Sequence, residues 1–214
     1  MRCRRSVHAV LAVLLAAITA VLPVRADPGA PVLLVVGDSI SAAYGLPAGA
    51  GWVNLLAARL GALRYPHRVV NASITGDTTA GGRARLPALI ARHRPAIVVI
   101  ELGGNDGLRG GNLGSTRENL GAMIAAVQRA GAKALVVGMQ VPPNYGGTYV
   151  REFRTLFADV AKSHKAPLVP FFFEGFGDRN DFFQADRIHP TVEAQPLLLE
   201  NVWPTLRLLL GPPR

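Results

Sequence analysis

The most constraining feature of this sequence is a series of short, unbroken apolar segments that alternate with longer amphipathic ones. The short segments are rich in β-branched and aliphatic residues, as expected for strands buried on both faces of a sheet. They span residues 32–36, 68–71, 96–100, 134–139 and 167–169. The longer segments, 52–60, 79–93, 120–130 and 149–165, have helical periodicity. This alternation predicts βαβ units, and therefore a single α/β domain with a mainly parallel sheet between layers of helices.

Local signals refine two of these helices. Ser115-Thr116-Arg117-Glu118 has the pattern of a capping box and predicts the start of the third helix at this point. Pro204 lies within a last helical segment and predicts a bend there.

The first 26 residues have the layout of a secretory signal. Arg2, Arg4 and Arg5 precede an apolar stretch, residues 9–22, which is too short for a membrane-spanning helix of roughly 18 residues or more. Small residues then offer a cleavage site after Ala26. An uncleaved membrane anchor is the alternative, and the short apolar core disfavours it. We expect export to the periplasm or the medium, with residues 27–214 forming one domain.

Charge and cysteine content exclude several classes of protein. The formal net charge of +9 falls to +5 once residues 1–26 are removed, because four arginines and no acid lie among them. The remaining basic residues are scattered, so we expect no nucleic-acid partner and at most peripheral membrane contact. The sequence does not fix the oligomeric state, and a monomer is the expectation. Cys3, the only cysteine, lies in the predicted signal, which excludes thiol chemistry and disulfides from the remaining domain.

Polar, glycine-bearing segments follow the first three predicted strands. They are Gly37-Asp38-Ser39, residues 71–77 and residues 103–106. In open parallel sheets, ligands bind outside the carboxyl ends of the strands. The sequence therefore predicts the functional site at this edge of the sheet.

Ser39 is the candidate nucleophile at this edge. A tight turn behind the first strand can raise its hydroxyl to the sheet edge and leave its own N–H facing a bound carbonyl. A helix N-cap is the alternative role for a serine in such a loop. Ser41, two residues further on, is a competing nucleophile.

A nucleophilic serine needs a base, and the chain beyond the predicted signal offers His67, His93, His164 and His189. His67 opens a strand, and His93 and His164 lie near helix ends, where surface histidines are common. His189 differs because it follows Asp186 by three residues, a spacing that lets one turn of chain bring a carboxylate to one ring nitrogen. An ordinary pair in a surface loop is the alternative.

Acyl transfer also needs hydrogen-bond donors for the oxyanion that forms during attack. Gly76 can bring a backbone N–H close to a substrate, and Asn105 can offer a side-chain amide; the Ser39 N–H is the third candidate. Glycine and asparagine are also common turn residues, and that role is the alternative for each of them.

The segments GDSISAAYGL, NASITGDTTAGG, ELGGNDGLRG and DRIHP resemble those of the GDSL, or SGNH, hydrolases. The resemblance is strongest to the bacterial periplasmic multifunctional thioesterase, arylesterase and lysophospholipase group, and it extends over nearly the whole predicted mature chain. It implies nucleophile Ser39, base His189, orienting acid Asp186, and an oxyanion hole of Ser39, Gly76 and Asn105. It also implies a three-layer, flavodoxin-like α/β/α sandwich of about five strands, with no metal or organic cofactor.

The resemblance also implies a mobile loop, residues 107–112, beside the acyl pocket, although the glycine-rich second half of this loop departs from the pattern expected. Leu108, Pro142 and Tyr145 follow predicted strand ends and are candidates for an acyl groove, with packing in the core or a loop as the alternative. The sequence does not fix the acyl length or the leaving group.

The function predicted from these residues is hydrolysis of carboxylic esters or thioesters through a covalent acyl-serine. A carbohydrate O-deacetylase on the same scaffold is one alternative. A non-enzymatic, exported small-molecule binding module is another, but it does not explain Asp186 and His189. No serine has the Gly-x-Ser-x-Gly pattern of α/β-hydrolases, and the chain after the first strand lacks the glycines of a dinucleotide-binding fingerprint.

Overall fold

Five strands and six α-helices alternate along residues 29–214, the part of the chain that this computed structural model describes. The strands are β1 Val32–Gly37, β2 Arg68–Asn71, β3 Ile97–Glu101, β4 Lys133–Val137 and β5 Leu168–Val169. The helices are α1 Trp52–Ala62, α2 Thr79–His93, α3 Gly104–Leu108, α4 Leu113–Arg129, α5 Gly147–Ser163 and α6 Gln195–Leu210. Short 3₁₀ helices span Pro143–Tyr145 and Asn180–Phe182. The predicted signal lies outside the described residues.

All neighbouring strands are parallel, and their order is β2-β1-β3-β4-β5. Helices α1 and α6 pack together on one side of the sheet, and α2, α4 and α5 pack side by side on the other. The predicted three-layer α/β/α sandwich with five strands is therefore confirmed. The strand order reverses between β1 and β3, and in this type of sheet the ligand crevice lies where the order reverses.

The core consists mainly of the central strands, because every side chain of β1 and β3 is buried. Large aromatic side chains complete it on both faces, with Trp52 on one side and Phe153 and Phe157 on the other. None of the helices in residues 29–214 is long and apolar enough to cross a bilayer. Helix α6 continues through Pro204 as far as Leu210.

Two predictions from the sequence are wrong in detail. Strand β2 is an edge strand whose first and last residues are exposed, so it is not buried on both faces. Helix α4 begins at Leu113, two residues before the predicted capping box. Its N-cap is Asn112, whose side chain accepts a hydrogen bond from the N–H of Ser115 at 2.9 Å. Asparagine is as favourable an N-cap as serine, so the sequence is equally compatible with a helix that begins after Asn112.

Candidate active site

Ser39 lies two residues beyond β1 in a chain of tight turns. The Ala42 N–H donates to the Asp38 carbonyl at 2.9 Å, and the Tyr44 N–H donates to the Ser39 carbonyl at 3.0 Å. The Asp38 carboxylate accepts the Ile40 N–H at 3.0 Å and so tightens the first turn. No α-helix begins here, since α1 starts only at Trp52, and Ser39 is therefore not a helix N-cap.

The competing serine, Ser41, has a different environment. Its hydroxyl donates to Glu101 Oε2 at 2.7 Å and accepts a hydrogen bond from Trp52 Nε1 at 3.1 Å. All three residues are buried. Ser41 thus links the end of β3 to the start of α1, and its hydroxyl is engaged in packing the core.

The C-terminal histidine reaches the first strand end. His189 Nε2 lies 2.9 Å from Ser39 Oγ, across 150 residues of sequence. His189 Nδ1 lies 2.6 Å from Asp186 Oδ2, and the other carboxylate oxygen accepts the backbone N–H of Ile188 and of His189. The structure therefore brings Ser39, His189 and Asp186 into one line of hydrogen bonds, with one ring nitrogen of His189 directed at the serine and the other at the carboxylate.

The loop that carries this histidine is fixed to the nucleophile segment. Phe183 and Pro190 form an isolated antiparallel bridge, and the Gln184 N–H donates to the His189 carbonyl at 2.8 Å. The Gln184 side chain donates across to the Tyr44 carbonyl at 2.9 Å. The Tyr44 ring packs on the imidazole, with 4.5 Å between ring centroids. Gln184 and Tyr44 thus hold His189 beside Ser39, although sequence reasoning assigned them no role.

Asp186 is held in its charged form. Partial burial alone would raise its pKa, but the hydrogen bonds from the His189 ring and from the two backbone N–H groups outweigh this and lower the pKa to about 2. A carboxylate that remains charged down to this pH can orient the imidazole throughout the neutral range.

Two backbone N–H groups, those of Ser39 and Gly76, belong to residues at the edge of the same cleft. Gly76 has a left-handed conformation, φ +76°, in a turn that the hydrogen bond from Asp77 N–H to the Ile74 carbonyl closes at 3.1 Å. Both Ser39 and Gly76 line the same cleft. Within residues 29–214, neither of their N–H groups donates to a protein acceptor. Unpaired N–H groups beside a nucleophile can receive a developing oxyanion.

Asn105 lines the cleft as well, but its amide is already engaged. Nδ2 donates to Asp38 Oδ2 at 3.1 Å and to the Asp77 carbonyl at 2.9 Å. Asn105 therefore joins the loops that follow β1, β2 and β3. To bind an oxyanion, the Asn105 amide would have to donate one of its N–H groups to the oxyanion as well as to, or instead of, its present acceptor.

Two buried carboxyl groups lie beneath the nucleophile. Burial raises the pKa of Asp38 to about 6, although hydrogen bonds from Ile40 and Asn105 and the charge of His189 oppose the shift. Burial also raises the pKa of Glu101 well above its usual range, and the nearby Asp38 charge adds to this effect. Burial thus disfavours the charged form of both groups and opposes the presence of two full negative charges beneath the reaction centre.

A cleft of about 1190 Å³ extends away from Ser39 and His189. Leu108 and Pro142 line it, as the sequence predicted for an acyl groove. Tyr145 does not line the cleft. Its hydroxyl instead donates to the Leu108 carbonyl at 2.8 Å, so it supports the wall from behind.

Sequence reasoning missed one wall of the cleft, which is formed by phenylalanines. They follow β5 or lie in the loop that carries His189: Phe171, Phe173, Phe176 and Phe183. The run Phe171-Phe172-Phe173 directly after a predicted strand was the available signal, because a side chain there lies at the carboxyl edge of the sheet. Together with Leu108 and Pro142, these rings make the cleft suitable for an apolar chain.

The other histidines lie away from the cleft. His93 is the last residue of α2, His164 caps the end of α5, and His67 directly precedes β2. Within residues 29–214 we find no cluster of three or more His, Cys, Asp or Glu side chains arranged to hold a metal ion.

This α/β/α fold and its serine, histidine and aspartate at the carboxyl edge have the architecture of a serine hydrolase. Comparison with known proteins gives the family. Residues 35–196 match the model of the GDSL-like lipase/acylhydrolase family. The chain therefore belongs to this family, and it is an ester hydrolase.

Individual relatives agree with this membership. Esterase TesA of Pseudomonas aeruginosa is 54% identical over 199 residues, which cover 93% of this chain and 99% of the relative. Thioesterase 1/protease 1/lysophospholipase L1 of Escherichia coli is 42% identical over 171 residues, covering 80% of this chain and 81% of the relative. The crystal structure of the psychrotrophic esterase EstA from Pseudoalteromonas sp., inhibited by monoethylphosphonate, superposes with a TM-score of 0.80 at 37% identity, covering 84% of this chain and 98% of that one.

Proposed function

We propose that this enzyme hydrolyses carboxylic esters and thioesters with Ser39 as nucleophile, His189 as general base and Asp186 as the acid that orients the histidine. The continuous line of hydrogen bonds from Ser39 Oγ through His189 to Asp186 supports this assignment most directly.

The reaction follows from this geometry in two steps. His189 Nε2 takes the proton of Ser39 as Oγ attacks the substrate carbonyl, and the carbonyl π electrons move to its oxygen. The N–H groups of Ser39 and Gly76, with Asn105 as a third donor, stabilise that oxyanion. His189 then gives the proton to the departing alcohol or thiol, which leaves an acyl group on Ser39. Water, deprotonated by the same histidine, releases the acid and restores the serine.

Apolar acyl groups are the substrates that this cleft fits. Its phenylalanine wall and the side chains of Leu108 and Pro142 offer many apolar contacts, while charged side chains such as Arg154 and Glu174 line other parts of the cleft. The apolar wall favours esters, thioesters and lysophospholipids with apolar acyl chains over acetylated carbohydrates, because an acetyl group is too short to contact much of it. The relatives from Pseudomonas aeruginosa and Escherichia coli, an esterase and a thioesterase/lysophospholipase, support the same range.

Turnover of p-nitrophenyl esters and labelling by a fluorophosphonate probe test the assignment. Ser39→Ala and His189→Ala should each reduce turnover to background, and Ser39→Ala should abolish labelling. His164→Ala is the matched control and should retain wild-type turnover, because His164 caps α5 outside the cleft. Full labelling of the Ser39→Ala protein would disprove the assignment of the nucleophile.

We also propose that residues 1–26 are removed during export and that residues 27–214 form the mature enzyme, with small-molecule or lipid esters and thioesters as its substrates. The basic, apolar and small-residue segments of the N-terminus support this processing. Sequencing the N-terminus of the exported protein tests it, and a mature chain that still begins at Met1 would contradict it.

A further inference from the structure

Arg109 connects the wall of the cleft to the Gly76 turn. Its guanidinium donates from Nη2 to the Gly76 carbonyl at 3.0 Å. Its neighbour Leu108 lines the cleft, and Tyr145 holds the Leu108 carbonyl from behind. A second tyrosine, Tyr149, donates to the Gly111 carbonyl at 3.0 Å. The segment that carries Arg109 is thus anchored on both sides of this residue.

The Gly76 turn needs such a contact because of its sequence. Glycine has little steric restriction, so the peptide groups on either side of Gly76 can rotate readily. The peptide group between Gly76 and Asp77 is held on one side, where the Asp77 N–H donates to the Ile74 carbonyl, and the side chains of Arg85 and Asn105 bind the Asp77 carboxylate and carbonyl. Among the described residues, only Arg109 bonds to a backbone atom of Gly76 itself.

We infer that Arg109 is a positioning residue for the oxyanion hole: by fixing the Gly76 carbonyl, it keeps the Gly76 N–H directed at the place where the oxyanion forms. The inference rests on the proposed function. Loss of a donor costs about 10²- to 10³-fold in kcat, and loss of a group that only orients the donor should cost less. We expect about a tenfold loss of kcat, because the turn keeps its other hydrogen bonds.

The test compares Arg109→Ala and Arg109→Lys with Arg154→Ala. Arg154 is a matched control, since it lines the same cleft but makes no contact with the Gly76 turn. With an uncharged p-nitrophenyl ester, Arg109→Ala should lower kcat about tenfold with KM nearly unchanged, as expected for an interaction used in the transition state. Arg109→Lys should be intermediate, because an ammonium group can still donate to the carbonyl. Low, non-denaturing concentrations of guanidinium ion should restore part of the kcat of Arg109→Ala only.

Three results would overturn the inference. A higher KM with unchanged kcat would show that Arg109 binds substrate instead. Equal losses in Arg109→Ala and Arg154→Ala would indicate a general effect of cleft charge. A kcat of Arg109→Ala equal to that of the wild type would show that Gly76 needs no support. Absence of any turnover in the wild type would instead contradict the proposed function, so the two failures are distinguishable. Melting temperatures of all variants should agree, because the hydrogen bond is at the surface.

Discussion

The two serines of the Gly37–Ser41 segment should separate cleanly into one that carries the chemistry and one that supports the core. Ser41→Ala removes the hydroxyl that bonds both Glu101 Oε2 and Trp52 Nε1. A buried polar group without a partner costs about 1–3 kcal/mol. The substitution leaves the buried Trp52 indole N–H without an acceptor and removes one hydrogen bond from the Glu101 carboxyl group. We expect the free energy of unfolding to fall by about 3 kcal/mol, out of roughly 5–15 kcal/mol for a typical domain.

Urea denaturation measures this loss. With a dependence of about 2 kcal/mol per molar urea, the midpoint should shift down by about 1.5 M. Turnover of the folded protein, normalised to sites titrated with a fluorophosphonate, should stay within about threefold of the wild type, because Ser41 Oγ does not contact the reacting groups. Ser39→Ala should show the reverse pattern, with turnover lost and stability reduced only by the loss of one partly buried hydrogen bond.

Ser73→Ala is the control for loss of a buried hydroxyl. Ser73 Oγ is buried and has no hydrogen-bond partner within the described residues, so its removal breaks no bond and should leave the urea midpoint unchanged or higher. Two outcomes would refute the reasoning: a Ser41→Ala protein as stable as the wild type, or one whose titrated sites are as inactive as those of Ser39→Ala.

Two further predictions concern helix packing and pH. Gly61→Ala should raise the free energy of unfolding by about 1 kcal/mol, because alanine favours the helix and a Cβ at this position in α1 meets nothing within 4 Å. Gly82→Ala in α2 should lower the free energy of unfolding, because its Cβ would collide with the Leu102 side chain. Equal melting temperatures for the two variants would contradict this prediction. Because the pKa of Glu101 is raised above its ordinary value of 4.5, the folded state keeps a proton that the unfolded chain releases, and stability falls as the pH rises from 4.5 through the folded-state pKa. Glutamine does not titrate, so the Glu101→Gln protein should not lose stability in this way. Urea denaturation at several pH values should show its free energy of unfolding rising relative to that of the wild type as the pH increases. A difference that does not change with pH would contradict the raised pKa of Glu101.

The fold and the position of Ser39 were predictable because both depend on local patterns. Unbroken apolar runs identify buried parallel strands, and the ends of such strands share one edge of the sheet. Ser39, Gly76 and Asn105 each follow a strand by only a few residues, so their approach to one cleft follows from the topology. Strand β2 shows the limit of this reasoning, because four apolar and polar residues do not reveal whether a strand lies at the centre or the edge.

The meeting of His189 and Ser39 could not be derived from periodicity. It depends on a loop without regular secondary structure, whose path is set by the Phe183–Pro190 bridge and by the hydrogen bond from Gln184 to the Tyr44 carbonyl. Such contacts join residues far apart in sequence and leave no repeating pattern. The Asp-x-x-His spacing and the resemblance to the hydrolase family supplied that part of the prediction.

The cleft illustrates a second limit, which concerns the direction of side chains. Pro142 and Tyr145 both follow β4 closely, yet Pro142 faces the cleft while Tyr145 reaches behind it to the Leu108 carbonyl. The 3₁₀ turn between them changes the direction of the chain, and its geometry is not encoded in apolarity alone. The phenylalanine wall follows a strand that was predicted, but apolarity alone does not show that Phe171 and Phe173 line the cleft while Phe172 packs in the core. Most residues that line the cleft therefore come from irregular loops, as do His189 and Asp186, whereas Ser39, Gly76 and Asn105 follow strand ends closely. This difference explains why the reaction can be inferred from the sequence more readily than the acyl preference.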